Sequence, residues 1–519
     1  MLPETTTTVY CPAMKRAADP TPVAVIDIGS NSGRVVVYER DAAGQLRILA
    51  TTRAALRLVR EVDDKRLLSE ESIERTLEAL RDFRAIAIGA GARRFAAVAT
   101  AALRDAANGD ELVARVRREL RIPLRVIEGA REAHLGFLGA VHGLPVEDGL
   151  LFDLGGGSMQ VTRFHGRRLV REWSLPLGAL RLSNRFLRSD PPGREEMRRL
   201  RQHVRRKLAR SGIPPLLRGE ELVGTGGTIR NLAKLDRRTR PYPITRLHGY
   251  VVERDSIART VALLAPKRLA QRERLAGLSD ERADSIVGGA LAVEELMSCL
   301  HAPRVRVSGQ GVREGLAYSL LNAEPPPAAE VRATSIASLA ARFDTWDAAK
   351  AARRRAVAGA LATALDPHEP SEILEALDHG ANLIDIGRAL DFFDRHAHVA
   401  ELVVATDLDG FSHRQIALIA AVIRAAREDV DAGDWGPLLG REDRDRVRRA
   451  GVLLALADDI EERCPRGGPV KVVCQPGRVS VVVRVPRLLA WRPRTLAARF
   501  ERTFGRRLVV EPGAARGRA

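Results

Sequence analysis

Two short glycine-rich segments, each directly after an apolar run, constrain the fold of this chain more than any other feature. The first reads Val-Ile-Asp27-Ile-Gly29-Ser30-Asn31-Ser32 and the second Phe152-Asp153-Leu-Gly155-Gly156-Gly157-Ser158. In both, an aspartate closes a buried-strand pattern just ahead of a tight turn of small residues. Glycine lets a backbone approach a ligand closely and turns its N–H groups toward an anion. An aspartate at the same place can hold a divalent cation, directly or through water. Asp27 and Asp153 stand 126 residues apart. The spacing predicts two similar α/β lobes that face each other across a phosphate-binding cleft.

At 519 residues the chain is too long for one ordinary core, so three or four domains are expected. Hydrophobic residues make up 45% of it but aromatic ones only 4%, so aliphatic side chains and alanine must fill the cores. No run approaches the roughly 18–20 apolar residues of a membrane span. Residues 1–21 lack a charged start followed by a long apolar stretch and read as a disordered tail. Cys11, Cys299, Cys464 and Cys474 form no CxxC and no Cys/His cluster, which reads as reduced thiols in a cytoplasmic protein. A Cys464–Cys474 pair across a hairpin is the alternative. The net charge of +18 suits a polyanionic substrate, nucleic acid or an anionic membrane surface, and does not choose among them.

Lobe I is expected over residues 22–145, with strands at Val23–Ile28, Arg34–Tyr38, Leu46–Thr51, Phe95–Ala99 and Leu124–Ile127. A helix spans Ser69–Phe83, and another from Arg131 to His142 closes the lobe. Lobe II, 146–323, repeats the strand–turn–strand order at Leu150–Leu154, Gln160–Phe164 and Arg168–Ser174. Its later strands end at Gly224-Thr-Gly226-Gly227-Thr228 and at Gly309–Gly315. The segment Glu324-Pro-Pro-Pro-Ala-Ala reads as a linker. Residues 330–440 carry alanine and leucine at helical spacing, and 441–519 read as a helix followed by a small α/β module.

Each glycine turn alone is an ordinary tight turn; several complementary ones in order are not. The Walker pattern is absent, and no G-x-G-x-x-G opens a helix at the right place. The ordered set resembles the exopolyphosphatase/guanosine pentaphosphate phosphohydrolase (Ppx/GppA) family within the actin-like ATPase superfamily. It comprises the two segments above, Ala99-Thr-Ala-Ala-Leu-Arg104-Asp105-Ala-Ala-Asn108 and Ile127-Glu-Gly129-Ala-Arg-Glu132-Ala133. It continues with Gly224–Thr228, Glu281-Arg282-Ala-Asp284 and Gly311-Val-Arg313-Glu314-Gly315.

The resemblance implies two actin-like (ribonuclease H-like) lobes, then a helical HD-like domain and the small C-terminal module. It implies Mg2+- or Mn2+-dependent hydrolysis of a terminal phosphoanhydride bond, with inorganic polyphosphate as substrate. The cleft motifs fit a pppGpp 5'-phosphohydrolase equally, and altered neighbours of Glu132 (Glu128 and Arg131) leave open a catalytically weak binder that regulates a partner. Asp27 and Asp153 are the expected metal ligands, and Glu132 the expected general base. Gly29, Ser30, Asn31, Ser32, Gly155, Gly156, Gly157, Ser158, Gly226, Gly227 and Thr228 are the expected phosphate cradle. Arg34, Arg104 and Arg282 are expected on phosphate oxygens, since guanidinium donates parallel hydrogen bonds. Arg313 and Glu314 read as structural closure of lobe II. A homodimer is compatible with the family; a membrane role is not expected, and nucleic acid is disfavoured by the scarcity of stacking aromatics.

Asn382-Leu-Ile-Asp385, Asp394-Arg-His396-Ala-His398 and His413 resemble the HD-type domain of long family members. Ile384 stands where a working site needs histidine, so metal-dependent chemistry there is not expected. His396 and His398 are expected to stabilise this domain or to meet anionic substrate.

Overall fold

The structure is a computed structural model of the chain. It describes residues 21–58, 61–62, 66–321, 325–427, 435–463, 470–475, 478–483 and 494–512. Strands Val23–Ile28 (β1), Ser32–Arg40 (β2), Leu46–Ala55 (β3), Arg94–Ala99 (β4) and Leu124–Val126 (β5) build the first sheet, in the order β3-β2-β1-β4-β5. The apolar run of β1 places it at the centre, buried on both faces, with Asp27 its one partly open residue. Edge strand β3 alternates open and half-buried positions and carries arginines, which blunts the edge.

The second sheet repeats this plan. It comprises Gly149–Leu154 (β6), Met159–His165 (β7), Arg168–Leu175 (β8), Glu221–Thr225 (β9), Val251–Glu253 (β10) and Arg304–Val307 (β11), ordered β10-β11-β9-β6-β7-β8. Central β6 has the same burial pattern as β1, with Asp153 at the corresponding open position. Asp27 pairs across the sheet with Arg34 and Val98, and Asp153 with Gln160 and Thr225. Both outer hairpins shift register ten residues past the aspartate, at Val37/Tyr38 and Arg163/Phe164. These are the two lobes of an actin-like fold.

One expectation is corrected. The helix Gly129–Gly143 does not serve the first lobe alone: Leu135 shares a cluster with Val23, Val25 and Val98 of the first sheet, whereas Phe137, Leu138, Ala140 and Val141 pack with Leu151 and Phe164 of the second. In exchange, Leu316 and Ala317 of the helix Val312–Leu320 pack with Val23, Val25 and Val98 of the first. The two helices cross where glycine removes the side chain. A Cβ on Gly139 would lie 2.0 Å from the Gly311 carbonyl oxygen, and one on Gly315 would lie 1.8 Å from that of Leu135. Both contacts are with backbone and cannot be relieved by a rotamer change. Gly315→Ala is therefore expected to separate the helices, costing about 1–3 kcal/mol and lowering activity through the displaced Glu132 helix. A thermal melt and a turnover assay check this; an unchanged melting temperature contradicts the packing account.

Among the described residues six longer helices follow, Ala328–Ala340, Ala348–Leu365, Ser371–Leu383, Arg395–Ala405, His413–Arg427 and Arg441–Arg463. The first begins inside the expected linker, directly after Pro325–Pro327. All six contribute to one core, which also takes Ile244 from the second lobe and Val479, Phe500 and Leu508 from the C-terminal module. That module pairs Val470–Gln475 (β12) antiparallel with Arg478–Val483 (β13). It then returns through the helix Arg494–Phe504 to lay Arg507–Pro512 (β14) parallel to β13. The helical unit docks on the lobes through Asp409, whose carboxylate accepts from Gln310 (3.1 Å) and Gln45 (3.3 Å). Beside it, the Gly410 N–H donates to the Gly143 carbonyl at 2.7 Å.

Residues 1–20 of the expected tail, Glu324, and the Cys464 of a Cys464–Cys474 pair lie outside the described residues. No described helix is long and apolar enough to cross a membrane.

Candidate functional site

The ends of β1 and β6 turn in the same way. The Gly29 N–H donates to the Ser32 carbonyl at 3.0 Å, and the Gly155 N–H to that of Ser158 at 3.0 Å. The two turns meet across the cleft, where a Cβ on Gly157 would stand 2.8 Å from Ser30 Oγ. At the end of β9 Gly226 adopts φ +95°, and a Cβ there would reach 2.6 Å from Asp153 Oδ1. Only glycine meets both demands.

These turns enclose a cavity of about 130 Å³. Asp27, Glu132 and Asp153 line it together with Arg230, Arg282 and Arg313. Glu132 reaches it from the first turn of its helix, and its buried Oε2 accepts no hydrogen bond. Arg104 Nη1 stands 3.6 Å from that oxygen and donates to the Ile127 carbonyl at 2.7 Å, which fixes it behind the glutamate. Arg313 Nη1 stands 3.9 Å from Asp27 Oδ2. Arg230 donates to the Gly226 and Gly309 carbonyls, each at 3.0 Å, and so spans two of the loops.

Burial and mutual repulsion hold the three carboxyls above their ordinary range. Burial, then Asp153 and Asp27 against the opposing Arg104, push Glu132 up to about 8. Burial raises Asp153 to about 6 even though Arg230 opposes it, and raises Asp27 against the pull of Arg313. Burial also pulls Arg230 down to about 10. Three converging carboxyls that resist ionisation suit a divalent cation, which relieves that repulsion. The donor set is hard oxygen, and among the described residues Asp153 has no ion-pair partner. The residues present therefore fit such an ion at Asp27 and Asp153.

Most of the expected residues converge here. Gly29, Ser30, Asn31, Ser32, Gly155, Gly156, Gly157, Ser158, Gly226, Gly227 and Arg282 line the cavity with the three acids. Three expected phosphate contacts do not. Arg34 is the cross-strand partner of Asp27 on β2 and lies outside the lining. Arg104 is engaged by Glu132 and the Ile127 carbonyl. Thr228 turns inward, where its methyl would sit 2.5 Å from a Cβ on Gly289. In their place stand Arg230 and Arg313. Arg313, read as structural closure, faces Asp27, while its neighbour Glu314 accepts from Tyr38 Oη at 2.5 Å and from the Gly311 N–H at 2.7 Å. Arg230 was missed. Its position one helical turn past Gly226 is the signal that could have found it.

In the helical unit, Asp385, Asp458 and Glu462 present carboxylate oxygens within 4.8 Å of one another. Protein cations already fill that space. Arg354 and Arg395 each pair with both Asp385 and Asp458. Arg388 pairs with Asp385 at 2.7 Å, and Lys350 with Glu462 at 2.8 Å. His396 lies beside this cluster, where burial and Arg395 pull its imidazole down to about 3, so it is neutral. His398 stands 3.9 Å from Glu401. Asp378 pairs with Arg355 at 2.7 Å, and His379 Nε2 lies 3.5 Å from Glu375.

Residues 36–324 match the model of the Ppx/GppA phosphatase family, and residues 331–463 that of Ppx/GppA phosphatase, domain III. Exopolyphosphatase 1 of Mycobacterium tuberculosis is 30% identical over 318 residues, which is 60% of this chain and 92% of that protein. Exopolyphosphatase 2 of the same organism is 33% identical over 315 residues, 58% of this chain and 98% of that protein. Among solved structures, a Ppx/GppA family member from Aquifex aeolicus superposes with a TM-score of 0.52 at 29% identity, covering 58% of this chain and 98% of that one. An exopolyphosphatase from Cytophaga hutchinsonii superposes with a TM-score of 0.54 at 26% identity, with the same coverages.

Proposed function

Since the chain belongs to the Ppx/GppA phosphatase family, we propose that it releases terminal orthophosphate from inorganic polyphosphate, with Glu132 as general base. The observation that carries this reading is the convergence of Glu132 with Asp27, Asp153 and three arginines in one small cavity walled by backbone-rich turns. A terminal phosphoryl group needs N–H donors and cations on its oxygens and a positioned water. The turns at Gly29–Ser32 and Gly155–Ser158 supply the donors. Arg282 and Arg313 supply positive charge, while Arg230 braces the loops. Mg2+ or Mn2+ held by Asp27 and Asp153 supplies further charge stabilisation to the phosphoryl oxygens when bound.

Glu132 accepts a proton from the water as its oxygen bonds to the terminal phosphorus. The bridging P–O bond then breaks, and its electron pair leaves with the shortened chain. Orthophosphate is the second product. Exopolyphosphatase 1 and exopolyphosphatase 2 of Mycobacterium tuberculosis, both similar over the lobes, support the substrate.

Both substrates present a terminal phosphoryl group to this cavity, and the similarity to two exopolyphosphatases favours polyphosphate over pppGpp. Side-by-side specificity constants for long-chain polyphosphate and pppGpp test this, because discrimination is a ratio of kcat/KM values. A higher value for polyphosphate is expected. A higher value for pppGpp assigns the chain to the nucleotide, and tight binding of both without turnover makes it a regulator.

A further inference from the structure

The turn that follows β11 leads into the catalytic cavity, and side chains hold it. Ser308 Oγ donates to the Gln310 carbonyl at 2.8 Å and accepts from the Gln310 N–H at 3.1 Å. Thr225 Oγ1 donates to the same carbonyl at 2.8 Å, and Arg230 to the Gly309 carbonyl at 3.0 Å. Thr225, Arg230, Gly311 and Arg313 all line the cavity. A shift of this turn therefore moves the Arg313 guanidinium and the brace made by Arg230 together.

Two buried side chains fix the turn from behind. The first is His248, whose Nδ1 accepts from the Gly309 N–H at 3.1 Å and whose Nε2 donates to the Gly143 carbonyl at 2.7 Å. Since a carbonyl only accepts, the imidazole is neutral with its proton on Nε2, a form that burial also favours. Gly143 ends the helix that carries Glu132 in its first turn, so His248 ties the arginine-bearing turn to the far end of that helix. The second is Asp409 of the helical unit. Both of its carboxylate oxygens stand 3.1 Å from Gln310 Nε2, and Oδ1 lies 3.8 Å from His248 Nε2. The packing here is tight: a Cβ on Gly143 would lie 2.7 Å from both Gln310 Oε1 and His248 Cε1. Gln45 donates to the same carboxylate at 3.3 Å, but it belongs to the outer hairpin of the first lobe, between β2 and β3.

We propose that Asp409 is a positioning residue of the hydrolytic site: through Gln310 it anchors the Gly309–Gly311 turn, so that the helical unit sets where Arg313 stands relative to Glu132. The assignment rests on the catalytic reading of the cavity above and gives the helical unit a part in turnover. A guanidinium stabilises developing charge only from the right place, and a displacement of about 1 Å costs up to about 10²-fold.

The test is Gln310→Met, which keeps an unbranched stem and removes the bond to Asp409; a thermal melt checks its fold. Its kcat is expected to fall about 10–10²-fold, with KM little changed. Asp409→Ala breaks the same bond from the helical unit and is expected to give the same loss. Gln45→Ala removes the other amide donor to Asp409 and is expected to keep the parent's kcat, because it loosens the docking without reaching the turn. On an Arg313→Ala background, Gln310→Met is expected to cost much less, since the group it displaces is already gone. Hydrogen exchange at the Gly309 and Gly311 amides needs no turnover, and is expected to quicken in Gln310→Met and not in Gln45→Ala. Quickened exchange in a chain whose parent hydrolyses no phosphoanhydride would sink the catalytic reading and leave the anchoring of the turn standing. Equal kcat losses in Gln310→Met and Gln45→Ala, losses that multiply fully on Arg313→Ala, or unaltered exchange overturn the proposal. So does a Gln310→Met protein with parental kcat.

Discussion

Glu132→Gln is expected to lower kcat for polyphosphate by about 10²–10⁴-fold, the usual contribution of a positioned general base, with little change in KM. Glutamine keeps the shape and the contact with Arg104 but cannot take a proton from water. The pH dependence identifies the group independently. Burial and the neighbouring aspartates push Glu132 up to about 8, and the base works as carboxylate. Activity at limiting divalent cation is therefore expected to rise with pH through an inflection near about 8 and to level off above it. Cation at Asp27 and Asp153 favours the ionised glutamate, so the inflection moves to lower pH as cation is added. The residual rate of the Glu132→Gln protein is expected to lack that inflection. A Glu132→Gln protein with parental kcat contradicts the assigned role.

Asp385→Asn is expected to destabilise the helical unit by about 3–5 kcal/mol, the cost of breaking a buried pair by removing one partner. Arg354 is wholly buried, and Asp385 and Asp458 are the acids that compensate it. Burial alone would raise the Asp385 carboxyl, but Arg354 and Arg388 outweigh it and hold the group at about 2. A carboxyl depressed below its unfolded value stabilises the fold above about pH 4, and that stability is lost as pH falls toward about 2. Urea unfolding near neutral pH and again at low pH measures both effects. The gap between parent and Asp385→Asn should shrink on acidification. A variant that matches the parent at neutral pH contradicts the cluster's role. The same cations account for this unit's histidine-poor site: guanidinium groups take the space among Asp385, Asp458 and Glu462 where an ion would sit.

The lobes were legible because β1 and β6 are continuous apolar runs, each ended by an aspartate and a glycine turn. Such runs admit few alternatives to a central strand. Glu132 was legible only through its ordered motif, since one carboxylate in the first turn of a helix has no distinguishing period. The helix exchange was not legible. It depends on Gly139 meeting the Gly311 carbonyl and Gly315 meeting that of Leu135, contacts between segments far apart in sequence. The arginines were the least legible. Eighty-four lysines and arginines offer many candidates, and Arg34, Arg104, Arg230 and Arg313 all lie within or two residues from a motif, so sequence position does not rank them. Only the crossing of the loops decides which of them reach the cavity. In the helical unit, Arg354 and Asp458 are too distant in sequence from Asp385 to be read as its partners.

The central claim is that carboxylates from both lobes make one cation-dependent hydrolytic site. Orthophosphate release from long-chain polyphosphate, followed as Mg2+ is titrated against chelator, tests it most directly, with parent and Asp153→Asn proteins side by side. Saturable, Mg2+-dependent release by the parent, with loss of apparent Mg2+ affinity and rate in Asp153→Asn, is the predicted result. Release that persists in chelator, or an Asp153→Asn titration that overlays the parent's, contradicts the account.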